Sequence, residues 1–144
     1  MDIMTSMNIS SSALKAERSR LNIAAMNLAN ANTTRTIEGG PYRAKSVVFG
    51  ATRLPGTFQQ AMNSADGKLR QVEVVKVVED QTPFNEVYDP KHPDADANGM
   101  VKMPNVNVAE QMVDMMTARR DYEANVTALD AVKTMAMRAM DISK

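Results

Sequence analysis

Residues 107–143 read NVAEQMVDMMTARRDYEANVTALDAVKTMAMRAMDIS, a stretch with neither Gly nor Pro. It is expected to form one unbroken helix. Asn107 is placed to cap the first turn, and Glu110, three residues on, completes a capping-box spacing. Pro104 keeps the helix from starting earlier. Apolar side chains recur by sevens at Val108, Met115, Tyr122, Leu129 and Ala136. A second row at Met112, Val126 and Met140 is interrupted by Arg119 and Lys133. Together the rows make a stripe near the 3.5-residue repeat of a helix that packs along another helix. Such a helix is about 55 Å long at ~1.5 Å per residue, longer than a small domain needs. A partner for the stripe must come from the rest of the chain or from another molecule.

The other end of the chain offers one. Met4 to Asn30 carries Met7, Leu14, Leu21 and Leu28 at the same spacing, with Ala24 and Ala25 extending the stripe. Ser10, Ser11 and Ser12 compete for backbone hydrogen bonds, so the first turns are expected to fray or to form only on docking. Asn30, Asn32, Thr33 and Thr34 are turn and cap residues, and Gly39-Gly40-Pro41 stops any helix. Matching periods imply a lengthwise pair, and a compact segment between the two makes the pair antiparallel.

That segment changes period. Ser46–Phe49 and the valine-rich run Val72–Val78 read as strands, with a last short one at Val87-Tyr88. Leu54, Phe58 and Met62 suggest a helical turn or a packing loop. The expected fold is mainly α with a small antiparallel β unit. Its parts are the N-terminal helix of the paired-helix domain in 1–36, a β-rich segment in 37–88, a Pro- and Asp-rich loop in 89–106, and the C-terminal helix of the pair in 107–144. A β unit this small has to lean on the helices or on neighbours.

Composition narrows the function classes. The chain has 17 basic and 17 acidic residues, which argues against a nucleic-acid or polybasic membrane surface and does little to keep copies apart. It has no Cys, hence no disulfide framework, thiolate metal site or cysteine nucleophile. Thirteen methionines suit helix-core filling, or a face that must fit several non-identical neighbours. No apolar run reaches the ~20 residues that span a bilayer. No basic flank and apolar h-region mark a cleavable signal.

Chemistry has little to stand on. Asp94-Ala-Asp96-Ala-Asn98-Gly99 opens like a calcium-binding EF-hand loop, but the closing carboxylate falls at Asn105, beside Pro104, and no helix enters the loop. An acidic turn that satisfies its own backbone is the expected reading. His92, the one histidine, has no positioned partner in sequence. Gly39-Gly40-Pro41 lacks the Lys-Ser/Thr of a phosphate loop. Neither an enzyme nor a metal or cofactor site is expected. The cluster Arg119, Arg120, Asp121, Glu123 reads either as a solvated face with helix pairs or as charges that select a neighbouring subunit.

Several motifs carry a resemblance. Ser12-Ala-Leu-Lys-Ala-Glu-Arg18 and Asn27-Leu-Ala-Asn-Ala-Asn-Thr-Thr34 resemble the signature of the bacterial flagellar rod and hook family. Gly39-Gly-Pro-Tyr-Arg43, the loop Tyr88–Asp96, Pro104-Asn-Val-Asn107 and Tyr122-Glu-Ala-Asn125 are similar to its proximal-rod branch. Met26 and Arg120-Asp121 depart from the wider pattern. The resemblance implies a structural rod subunit of the basal body that polymerises around an export channel and transmits torque across the periplasm. It implies partners among other rod proteins and copies of itself, a place near the membrane ring, and passage through the flagellar type III export apparatus without signal cleavage. A soluble helical adaptor that binds one partner helix is the alternative.

In that frame the helix-pair seam is expected at Met7, Leu14, Leu21, Leu28, Val108, Met112, Met115, Tyr122, Val126, Leu129 and Met140. Subunit contacts are expected among Asn27, Asn30, Asn32, Asp94, Asp96, Arg119, Arg120, Glu123 and Asn125.

Overall fold

The computed structural model describes residues 3–53 and 69–142. Among the described residues two long helices, α1 (Ile3–Ala29) and α2 (Val108–Ile142), bracket four strands. These are β1 (Lys45–Arg53), β2 (Arg70–Glu79), β3 (Asn85–Tyr88) and β4 (Met100–Met103). The set Leu54, Phe58 and Met62 lies outside the described residues.

The strands form two two-stranded sheets. The start of β1 meets the end of β2, where the Asp80 N–H donates to the Ala44 carbonyl at 2.8 Å. Further along, Gly50 lies against Val75, so β1 and β2 run antiparallel. β3 and β4 are antiparallel in the register Asn85↔Met103 to Tyr88↔Met100. β4 falls in the segment expected to be a loop. Its four residues sit between Gly99 and Pro104, too short for a period-2 signal, and their pairing with β3 joins segments that are remote in pattern.

The helix starts follow their chemistry. Asn107 caps α2 by accepting the Ala109 and Glu110 N–H groups on Oδ1 at 3.1 and 3.4 Å. α1 ends in a tight series of turns, with Asn30 N–H donating to Met26 O and Thr33 N–H to Asn30 O.

Contacts divide the chain into two units. The first comprises Met1–Ser19, Val48–Lys76 and Ala118–Lys144. In it the Ser12 hydroxyl donates to Ile9 O at 2.7 Å and accepts the Val72 N–H at 3.2 Å, which fastens β2 to α1. Ala16 and Ala118 are its buried small residues. The second comprises Arg20–Val47 and Val77–Thr117. Its core is Tyr42, Ala44 and Val106 with Ala31 packed against them, and Val101 and Pro104 are also buried. Here the end of α1 lies antiparallel beside the start of α2, because Arg20 pairs with Asp114 and Asn27 donates to Gln111.

Candidate functional site: an asparagine junction and two helix faces

The second unit is organised around Asn27, which is 1 % exposed. Its amide NH2 donates to the Lys45 carbonyl at 2.7 Å and to Gln111 Oε1 at 2.9 Å. Its Oδ1 accepts the Tyr42 hydroxyl at 2.9 Å and the Lys45 N–H at 2.9 Å. A carboxamide has two donors and two acceptor lone pairs, so all four positions are filled. One side chain thus joins α1, the strand β1 and α2, and nothing remains on it to offer a neighbour.

A second asparagine does similar work nearby. Asn105 Oδ1 accepts the Ala44 N–H at 2.8 Å, and its NH2 reaches Thr82 Oγ1 at 2.8 Å and the Asp80 carbonyl at 3.2 Å. Arg43 donates to the same Asp80 and Thr82 carbonyls and stacks over Phe84, 4.3 Å from the ring centre. Lys45 and Glu79 form an ion pair at 3.6 Å. Burial, and then the Glu79 charge, raise the Tyr42 hydroxyl above the ordinary tyrosine pKa.

In the acidic loop Asp96 is turned on the loop's own backbone and Asp94 on the turn after α1. Asp96 Oδ1 accepts the N–H groups of Asn98 and Met100 at 2.8 and 2.9 Å. Asp94 Oδ2 accepts the Thr34 hydroxyl at 2.8 Å, which ties the loop to the turn after α1. His92 Nδ1 accepts the Asp94 N–H at 3.1 Å. Gly99, at φ +76, is held between Tyr88 and Pro90.

The expected contact residues have varied surroundings. Asn30 is half-buried, donating to Met26 O and accepting the Thr33 hydroxyl. Asn32, Arg120, Glu123, Asp94 and Asp96 are exposed. Arg119 is exposed and pairs with Glu123 at 2.9 Å. Asn125 is half-buried and donates to Asp121 O.

Of the expected seam residues, Met7, Leu14, Leu21, Leu28, Met115, Tyr122 and Leu129 are half-buried. Val108, Met112, Val126 and Met140 are exposed. Apart from Asp114, which pairs with Arg20, the covered residues on α2 are Gln111, Met115, Ala118, Tyr122, Asn125, Leu129, Val132 and Ala136, with steps alternating between four and three. That is a 3.5-residue stripe whose second row is Gln, Ala, Asn and Val. Counting only large apolar side chains hides it, since Ala and amides fill half of its places. On α1 the exposed residues include Asn8, Lys15, Asn22 and Ala29, again by sevens. No helix of the described residues is long and apolar enough to cross a membrane.

Two long terminal helices, each with a heptad stripe, thus bracket a small β-rich middle and loops tied by hydrogen bonds within the chain. Both ends match known families. Residues 7–35 match the model "Flagella basal body rod protein", and residues 97–142 match "Flagellar basal body rod FlgEFG protein C-terminal". The chain therefore stands among the flagellar basal-body rod proteins, which are structural subunits and not enzymes.

Full-length relatives narrow this. The chain is 44 % identical to the flagellar basal-body rod protein FlgC of Salmonella typhimurium over the whole of both chains. It is 42 % identical to FlgC of Bacillus subtilis over 96 % of this chain and 97 % of that one. With FlgC of Borreliella burgdorferi the identity is 38 %, covering 99 % and 98 % of the two. The chain belongs to the FlgC family of flagellar basal-body rod proteins.

Proposed function

We propose that this chain is a proximal-rod subunit whose two end helices pair lengthwise and stack on other rod proteins and on copies of itself. In this reading the stack surrounds the export channel and serves as the drive shaft across the periplasm. The base of the rod meets the membrane ring, and each subunit arrives through the flagellar type III export apparatus with its N-terminus uncleaved. Neither nucleic acid nor membrane insertion has a part.

The observation that carries the reading is the surface of α2. Its covered stripe lies directly beside an uncovered row, with Met112 47 %, Val126 37 % and Met140 64 % exposed. Large apolar side chains left in water at helical spacing are what an assembly face consists of. The antiparallel pairing of Arg20 with Asp114 and Asn27 with Gln111 supports extending the helix pair beyond the second unit. The proposed seam joins Met7, Leu14, Leu21 and Leu28 to Met115, Tyr122 and Leu129. Val108, Met112, Val126 and Met140 border it and face neighbours. A contact that repeats without closing generates a filament.

The test is deletion of the gene followed by imaging of basal bodies. A membrane ring without a rod, restored by the unaltered chain, supports the reading. Rods of normal length in the deletion strain refute it.

A further inference from the structure

Ile37 is fully exposed, the most exposed of the large apolar residues described. Its setting is built rather than loose. The Thr36 N–H donates to the Gly40 carbonyl at 2.9 Å, and the Gly39 N–H to the Thr36 carbonyl at 3.1 Å. The Thr36 hydroxyl adds a bond to Gly40 O at 3.2 Å. Gly39 and Gly40 take φ of +88 and +82, which only a residue without Cβ adopts easily. At the base of the turn the Tyr42 N–H donates to Thr33 O at 3.0 Å, and Thr34 is tied to Asp94. Grooves of about 340 and 690 Å³ border the turn, one lined by Pro41 and Lys102, the other by Tyr42 and Phe84. The turn is a rib with a β-branched knob at its tip, fixed before any partner arrives.

The same unit carries a matching hole. Ala109, Met112, Val113 and Met116 stand at i, i+3, i+4 and i+7 on α2, and all four are exposed. Four residues at that spacing form the diamond into which a knob inserts. Ala109 gives the diamond depth, and the thioethers adapt to a branched side chain. The next diamonds along this side of α2 contain Arg119, Arg120 or Glu123, so this apolar hole is bounded by charge. Arg35, beside the knob, and Glu110, beside the hole, have no side-chain partner among the described residues and are complementary.

We propose that Ile37 of one copy inserts into the Ala109–Met116 hole of a second copy, with Arg35 meeting Glu110. In a single chain Ile37 is bare, and the contact proposed is the head-to-tail form, which propagates along the array, and not the reciprocal two-fold pair, which would close at a dimer. The inference rests on the rod reading and adds the contact between like subunits.

The chain has no cysteine, so introduced ones report cleanly. Basal bodies from a deletion strain carrying the double variant Ile37→Cys/Val113→Cys are treated with a short bismaleimide. A ladder of covalent multimers is expected, with neither single variant producing one. Links of 37 to 37, links of Ile37→Cys only to other proteins, or no ladder in basal bodies that contain rods would each overturn the proposal. In the purified chain, Ile37→Lys is expected to keep its helical circular dichroism and to self-associate about tenfold more weakly, the scale of losing one buried aliphatic anchor. Unchanged association overturns the contact while leaving the rod reading intact. Rods that assemble in the absence of this chain sink the rod reading instead.

Discussion

Replacing Asn27 with Leu is the sharpest test of how the second unit is held. Leucine has the same branched skeleton as asparagine but is non-planar and larger, so the change removes polarity and adds some crowding at a buried position. Four groups lose their partner: the Lys45 N–H, the Lys45 carbonyl, the Tyr42 hydroxyl and Gln111 Oε1. Gln111 is half-buried on the helix surface and can turn to water. The two Lys45 backbone groups and the buried Tyr42 hydroxyl cannot do so without opening the junction. A buried group left unsatisfied costs about 1–3 kcal/mol. Partial hydration of some of them brings the expected total to about 3–5 kcal/mol, against a total stability of order 5–15. The assay is urea unfolding followed at 222 nm, at fixed dilute concentration so that association does not shift the midpoint. Asn27→Asp is the companion variant. It keeps both acceptors but sets a carboxylate against the Lys45 carbonyl, so its acid form is favoured in the fold and its stability deficit shrinks as pH falls. A loss under about 1 kcal/mol for Asn27→Leu would show that the four bonds do not hold the junction.

The glycines separate two effects. Gly39→Ala meets nothing within 4 Å and pays only for its positive φ, whereas a Cβ on Gly99 comes to 3.0 Å from Tyr88 and 3.2 Å from Pro90. Gly99→Ala is therefore expected to lower stability by about 1–3 kcal/mol and Gly39→Ala by about 1, read by thermal melts. Asn107→Ala removes the cap of α2 and is expected to cost about 1 kcal/mol, with fraying at the helix start visible in amide exchange. Tyr42 has its folded pKa raised by burial and by Glu79. The unfolded chain therefore ionises first, and stability is full below pH ~10 and falls as pH rises from there through the folded value. Tyr42→Phe should remove that alkaline slope, and an unchanged slope would refute the assignment.

Much of the fold was legible because the helices advertise themselves. The Gly- and Pro-free run after Asn107 and its cap are local signals, and so are the valine run of β2 and the Asn and Thr residues of the turns that end α1. What escaped was non-local. β4 exists because β3 lies beside it, and four residues between Gly99 and Pro104 carry no periodic mark. Asn27 stands among the expected subunit contacts within the family frame, and its own window shows nothing of its burial. Its burial depends on Tyr42, Lys45 and Gln111 converging from three segments. Each of those residues is unremarkable in its own window. The second covered row of α2 escaped for a related reason: Gln111, Ala118 and Asn125 are covered by position, and a hydrophobicity pattern does not count them.

That displaced row changes what the apolar residues beside it do. Met112, Val126 and Met140 recur every fourteen residues, about 21 Å along the axis at ~1.5 Å per residue. Arg119 and Lys133 sit midway between them. The flank of the covered stripe therefore alternates apolar and cationic side chains in steps of seven. A uniform apolar flank would let a neighbouring helix slide by one heptad and bury the same area. On this flank a slip of one heptad, about 10 Å, sets a cation where an aliphatic contact stood and exposes the aliphatic group to water. Burying a cation costs desolvation even where it is paired, as Arg119 is with Glu123, so the alternation fixes axial stagger more firmly than it adds affinity. The distinction matters for any helical stack, because subunits that bind tightly in several registers creep under load, whereas subunits with one permitted stagger deform only by bending or by breaking contact.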